Sequence, residues 1–217
     1  MSISLCITSY SQDYSLVYGL LEEFKKQILP PSEIIFYCSD VISVEMPKFL
    51  SIKSCNIPIH TIYSSKRTNQ ATARNISAKI SSSEYVMFFD VDDIPHPMKI
   101  KITTDILNKT QADFMLHNYH EINESSNIFE QIPLDVDLYP LNEIDKNSTN
   151  VVCGDHYIHH AHISVKRSIF EKINFNESME YYRREDGKFC QDLIINGYSG
   201  VYCPIKLVNY TPSYLRK

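Results

Sequence analysis

Hydrophobic positions along the chain repeat with two different periods, and the order in which those periods alternate predicts the fold. Ile3, Leu5 and Ile7 alternate with small or polar residues, as in a strand over 3–9. Val17, Leu20, Leu21, Phe24 and Ile28 then share one face of a helix over 14–28, which Pro30 and Pro31 stop. A buried strand over 34–38 ends in Ser39-Asp40, and a third strand is expected over 57–63. Ala73, Ile76 and Ile80 keep helical spacing over 71–80, with Thr68 and Asn69 as available caps. The β-rich run 85–89 follows and ends in Asp90-Val91-Asp92-Asp93.

After Pro95 and Pro97 the pattern predicts a helix through 107 and a strand over 113–118. From 119 to 155 Asn, Ser, Asp and Pro break every periodicity, which predicts a long polar excursion over the active face. A strand resumes at 161–165, and Phe189, Cys190, Leu193 and Ile194 form the buried stripe of a helix over 187–196, ended by Gly197. Residues 201–202 and 207–210 are the last strand pieces. Strands alternating with helices predict an α/β domain around one sheet, in which ligands bind beyond the C-terminal ends of the strands. The acidic cluster after residue 89 occupies such an end.

Composition narrows the function. With 21 Lys+Arg against 26 Asp+Glu the net charge is −5, and no basic block exists to hold a phosphate backbone, so nucleic acid is not an expected partner. At 217 residues a single domain buries a sizeable core without staples, and no apolar run is long enough to span a bilayer. The six cysteines show no CxxC spacing and several lie in apolar runs, which fits buried thiols in a reducing compartment. The chain is therefore expected to be soluble, unprocessed and cytoplasmic. Its five glycines are scattered, so neither a GxGxxG turn nor a Walker A loop is present, and any bound phosphate must be met by side chains or a metal.

Four groups of residues carry chemistry. Asp90, Asp92 and Asp93 put three carboxylates within four residues, whose mutual repulsion a divalent cation would relieve; hard oxygen ligands suit Mg²⁺ or Mn²⁺. A solvated acidic turn is the plain alternative. Arg74, early in the helix over 71–80, would favour an anion through its guanidinium and the helix dipole, unless it simply faces solvent. Glu185 and Asp186 open the helix over 187–196, where acids either cap or act as a general base. His156, His159, His160 and His162 lie within seven residues without a zinc spacing, and one of them, taken as His162, is expected to join Asp90 and Asp92 as a metal ligand.

The order of these pieces resembles the GT-A glycosyltransferases, especially those of family 2. ITSY follows the first strand, Ser39-Asp40 the second; ARN lies on a helix, FFDVDD ends a strand, and REDGKFCQDL comes late. The likeness runs from residue 3 to about residue 210. It implies a GT-A fold, a Rossmann-like, mostly parallel central sheet flanked by helices, with a nucleotide-sugar-binding half (1–93) and an acceptor-binding half (94–217) in one domain. It further implies that Thr8, Ser9 and Tyr10 line the nucleotide, Asp40 binds the base, Asp90 contacts the ribose or bound water, and Asp92 holds the metal on the diphosphate. Arg74 would lie beside the nucleotide, Asp186 would be the catalytic base and Glu185 its neighbour on the acceptor side. Two features depart from the family pattern: the turn after the second strand has one acid and no glycine, and no tryptophan precedes the Glu-Asp pair, where Tyr181 and Tyr182 could offer stacking faces.

The expected activity is metal-dependent transfer of a sugar from a nucleoside-diphosphate sugar, UDP-linked by family habit, to a hydroxyl of a glycan or glycoconjugate acceptor, with inversion. Two alternatives remain. DVDDI superficially matches the nucleophile motif of haloacid-dehalogenase-type phosphatases, although those carry it on the first strand. A sugar-nucleotide or glycan-binding module would keep the fold without turnover. The chain could also be one domain of a larger enzyme.

Overall fold

The computed structural model describes residues 1–10, 13–41, 56–121, 132–133, 135–145, 147–156, 158, 160–181 and 184–211. Tyr182, His159 and the middle of the predicted polar excursion lie outside them.

Eight parallel or antiparallel neighbours form one sheet in the order β3-β2-β1-β4-β10-β6-β11-β5, with β7 on the far side of β11. The long strands are β1 (Ile3–Tyr10), β2 (Glu33–Ser39), β3 (Ile59–Tyr63), β4 (Tyr85–Asp90), β6 (Phe114–Glu121) and β11 (Gly200–Tyr210). These six run one way; the short strands β5 (Ile94–Pro95), β7 (Tyr139–Leu141) and β10 (Ser164–Lys166) run against them. The expected mostly parallel α/β sheet is thus observed. A separate hairpin joins β8 (Glu143–Ile144) to β9 (Val151–Val152).

Helices cover both faces, which is why β1 and β2 are buried along nearly their whole length. On one face Val17, Leu20, Leu21 and Phe24 of α1 (Tyr14–Lys25) and Ile100, Ile106 and Leu107 of α3 (Lys99–Thr110) pack on Ile3, Leu5 and Ile7. On the other, Ala71 and Ala78 of α2 (Gln70–Ile80) and Phe189, Cys190 and Leu193 of α4 (Glu185–Ile195) pack on Cys6, Val86 and Phe88. Phe175 is stacked on Phe189 with centroids 4.0 Å apart and meets Phe88 edge-on at 5.1 Å.

Four departures from the sequence pattern have local causes. Helix α1 stops at Lys25, and Ile28 is 65% exposed, because Gln27 turns inward instead: its amide donates to the His96 carbonyl (2.7 Å) and accepts the Ile100 N–H (3.2 Å). In α2 the inward face includes Arg74, Asn75 and Ser77 rather than Ile80, which is 47% exposed. Residues 160–162 form a 3-10 turn, and the strand begins only at Ser164. The two final strand pieces are one strand, β11, whose ladder shifts register between Cys203 and Lys206 around Pro204, which has no N–H to give.

The predicted excursion also contains more order than its composition suggests. The turn of the β8–β9 hairpin is docked on α4: the Gln191 side-chain amide donates to the carbonyls of Asp145 (3.1 Å), Ser148 (3.0 Å) and Asn150 (2.9 Å). A Cβ at Gly187 would stand 2.3 Å from the Thr149 carbonyl oxygen, so only glycine admits the hairpin this close. Gly187→Ala is expected to displace the hairpin and cost about 1–3 kcal/mol in a urea unfolding titration, the usual range for overpacking.

Candidate active site

Strand register sets the site. Thr8 pairs with Asp90, Tyr10 with Ser39 and Cys38 with Tyr63, so β1, β2, β3 and β4 end along one edge and the loops leaving them face the same crevice. A cavity of about 560 Å³ lies there, walled by Thr8, Ser9, Tyr10, Ser39, Asp90 and Asp92, with Gln70 and Ala73 of α2 on one side and Thr211 on another. Five of the residues expected around a nucleotide, Thr8, Ser9, Tyr10, Asp90 and Asp92, therefore border one cavity. Asp40 does not belong to its wall. It is exposed, with a left-handed φ of 62°, and Ser39 holds the position facing the cavity.

Arg74 is neither solvent-facing nor on the cavity wall. It is 2% exposed. Its Nη2 donates to Asp90 Oδ1 (3.1 Å) and Gln70 Oε1 (3.2 Å), and its Nη1 to Glu185 Oε1 (3.1 Å). The Phe175 ring lies 5.5 Å from its guanidinium carbon. Asn69 caps α2 by accepting the Thr72 N–H (2.8 Å), so the helix starts early enough to aim Arg74 inward. One turn side of it, Asn75 grips the backbone of Phe175, donating to its carbonyl and accepting its N–H, both at 2.9 Å. Burial opposes the charge on Arg74, but Asp90, Asp186 and Glu185 outweigh it and raise its pKa above the ordinary value. One buried cation thus joins the end of β4 to the start of α4.

Glu185 is 7% exposed, and burial, with Asp186 adding to it, raises its pKa against the pull of Arg74. A carboxylate held this way is a partner of Arg74. Asp186 is half-buried, and its Oδ1 accepts the Gly187 N–H (2.8 Å) at the start of α4. Its charge is felt by Arg74 and by His160, whose pKa burial lowers and Asp186 partly restores. His160 Nε2 in turn accepts the Val151 N–H (3.1 Å), a link to the docked hairpin.

The two acids of the turn after Asp90 diverge. Asp93 points inward, 3% exposed, with Oδ1 accepting the Thr211 N–H (2.8 Å) and Oδ2 3.0 Å from His162 Nε2. Asp92 is half-buried and borders the cavity. His162 is fully buried and stacked on Phe89 at 4.2 Å, and burial pushes its pKa well down, leaving a neutral imidazole. Among the described residues, the ligand atoms that converge within 4.8 Å are those of Asp90, Asp93 and His162. The expected set of Asp90, Asp92 and His162 is thus not the one that clusters: His162 sits with Asp93, beneath the turn, while Asp92 faces the cavity. Hard carboxylate oxygens on a cavity wall with room for further ligands fit a divalent cation such as Mg²⁺ or Mn²⁺.

Beneath this turn lies a group the sequence pattern did not mark. Lys99 opens α3 and is fully buried, 5.5 Å from the Phe89 ring centre and donating to His117 Nε2. His117 Nδ1 is 2.7 Å from the Asn118 carbonyl, which fixes it as the protonated nitrogen and leaves Nε2 to accept. Burial drives the Lys99 pKa down to about 7, with Cys203 and Asp93 pulling the other way. Thr211 is likewise unforeseen. Nothing in either residue's local sequence signals its position, since each is brought to the site by the sheet alone.

An α/β domain with a cavity at the C-terminal edge of its parallel strands, bordered by aspartates, is the arrangement of the nucleotide-diphospho-sugar transferases of GT-A fold. Residues 4–174 match glycosyl transferase family 2, and the chain belongs to that family. Membership removes the phosphatase alternative. The chain is 22% identical over 218 residues to the amylovoran biosynthesis glycosyltransferase AmsB of Erwinia amylovora, covering 97% of this chain and 69% of that protein. Its fold is similar to S. aureus TarS 1-349 in complex with UDP, with a TM-score of 0.69 at 17% identity, over 98% of this chain and 61% of that one. The mannosyltransferase PcManGT from Pyrobaculum calidifontis, in complex with GDP-Man and Mn²⁺, gives 0.65 at 13% identity over 93% and 56%. The chain therefore spans less than two thirds of the length of these solved structures. Among the described residues no helix is long and apolar enough to cross a membrane.

Two outcomes follow from the buried cations. Arg74→Met should leave Asp90 and Glu185 without their shared partner and lose about 3–5 kcal/mol in chemical unfolding; Arg74→Lys should recover only part, since one ammonium cannot reproduce the fork. Lys99 binds its proton less tightly folded, near pH 7, than unfolded, near 10.5, so its contribution to stability should rise with pH from about 7 upward. The stability of the protein relative to Lys99→Met should therefore increase between pH 7 and 9, by about 1.4 kcal/mol per unit; a flat difference would contradict this account.

Proposed function

We propose that the chain is a catalytic domain that transfers a glycosyl group from a nucleoside-diphosphate sugar, UDP-linked, to an acceptor hydroxyl, with inversion at the anomeric carbon. The observation that carries this reading is the single cavity bordered by the end of β1 and by Asp90 and Asp92, with Asp90 tied through Arg74 to the Glu185-Asp186 helix start. A donor-side acid and an acceptor-side acid are thereby held on one rigid frame. The TarS structures with UDP and with UDP-GlcNAc support a uridine donor, while GDP-Man in the mannosyltransferase shows that a similar fold takes another base.

In this reading Thr8, Ser9 and Tyr10 line the nucleotide, and Asp92, with Asp90 beside it, holds Mn²⁺ or Mg²⁺. When bound, that cation neutralises charge developing on the diphosphate leaving group. Arg74 supports the same end indirectly: fixed by Glu185, it holds the Asp90 carboxylate in place through its own hydrogen bond. Asp186, half-exposed at the start of α4, takes the proton of the acceptor hydroxyl as its oxygen attacks from the face opposite the leaving group. The residues 1–93 then form the donor half and 94–217 the acceptor half, whose glycan acceptor is chosen on the side of α4 and the β8–β9 hairpin.

Release of UDP from a UDP-sugar, measured with and without Mn²⁺, tests this. Asp92→Ala should abolish metal-dependent donor binding. Asp186→Asn should keep donor binding and reduce transfer by about 10²–10⁴-fold, the usual worth of a general base. Donor binding with no turnover under any acceptor would favour the binding module instead.

A further inference from the structure

Thr211 reaches the acidic turn from the far end of the chain. Its N–H donates to Asp93 Oδ1 (2.8 Å) and its hydroxyl to the Asp92 carbonyl (2.6 Å), so one residue grips two consecutive residues of the turn. Strand β11 delivers it there: Val208 pairs with Pro95 and Asn209 with Ile94, which holds the strand's end beside the chain as it leaves the turn. Thr211 and Asp92 both border the cavity, whereas Asp93 is drawn inward.

We propose that Thr211 is a positioning residue for cation binding: its hydroxyl fixes the Asp92 peptide and thereby aims the Asp92 carboxylate into the cavity. The proposal rests on the reading of Asp92 as a cation ligand. Asp92 and Thr211 both border the cavity, where water can replace the hydroxyl, so losing that bond leaves the fold in place. What is lost is the restriction on the turn. Partners that orient a metal ligand typically contribute 10–100-fold to metal affinity.

The experiment titrates Mn²⁺ into the protein, alone and with UDP, and follows free Mn²⁺ by its electron paramagnetic resonance signal, with thermal unfolding alongside. Thr211→Ser keeps the hydroxyl and should bind Mn²⁺ as the unmodified protein does. Thr211→Ala and Thr211→Val should bind at least about tenfold more weakly while melting cooperatively. The Ser and Ala variants differ by the hydroxyl alone, so their comparison stands even if the Val variant does not fold. Equal affinity for Ala and Ser variants, whether both strong or both weak, overturns the proposal. Failure of the unmodified protein itself to take up Mn²⁺ with UDP overturns the reading of Asp92 beneath it, and with it the role of Thr211.

Discussion

A guanidinium removed from water and shared between two carboxylates is the constraint on which the rest of this structure turns. Arg74 stands 3.1 Å from both Asp90 and Glu185, which lie on different elements and enter the sheet's edge from different halves of the chain. Such a buried cluster has little net effect on stability compared with an apolar replacement, but it tolerates very few geometries. Its worth here is specification: the end of β4 and the start of α4 cannot drift apart without stranding a charge. Asn75, one residue on, reinforces this by holding the Phe175 backbone and accompanying the aromatic stack under α4.

The acidic turn shows the same economy at smaller scale. Three carboxylates in four residues would repel one another in isolation, and the fold separates their tasks. Asp90 borders the cavity while accepting from Arg74, Asp93 turns inward to the Thr211 N–H and the neighbourhood of His162, and Asp92 borders the cavity beside Asp90. The layer below is polar in an unusual way, with Lys99, His117 and His162 all buried near Phe89. The neutral imidazole of His162 and a lysine whose pKa is lowered to about 7 allow that layer to sit under three acids without adding a full fixed charge.

Much of the fold was legible because strands flanked by helices on both faces must be apolar throughout, as Ile34, Ile35 and Phe36 are, and helices must show a stripe, as Val17, Leu20, Leu21 and Phe24 do. The strand-end position of Asp90 and Asp92 followed from the same patterns. Legibility failed wherever polar residues face inward: Gln27 in place of Ile28, and Arg74 and Asn75 in place of Ile80, because periodicity registers only apolar faces. Site roles that depend on contacts across the sheet were equally hidden. His162 was marked by its neighbours His156 and His160, but nothing in that run tells that it belongs with Asp93, and Lys99 and Thr211 carry no local mark at all.

The position of β10 has a consequence for how the chain is made. Ser164–Lys166 lies between β4 and β6, antiparallel to both, so within the sheet the first four parallel strands join the other strands through a short piece synthesised late. Until it emerges from the ribosome, the backbone of Tyr85–Asp90 presents an unpaired edge on a strand that is apolar from Tyr85 to Phe89, the kind that invites strand addition from another molecule. The donor-side half is therefore a poor candidate for an autonomous fragment: its last strand stays vulnerable until a segment from the other half arrives to cover it.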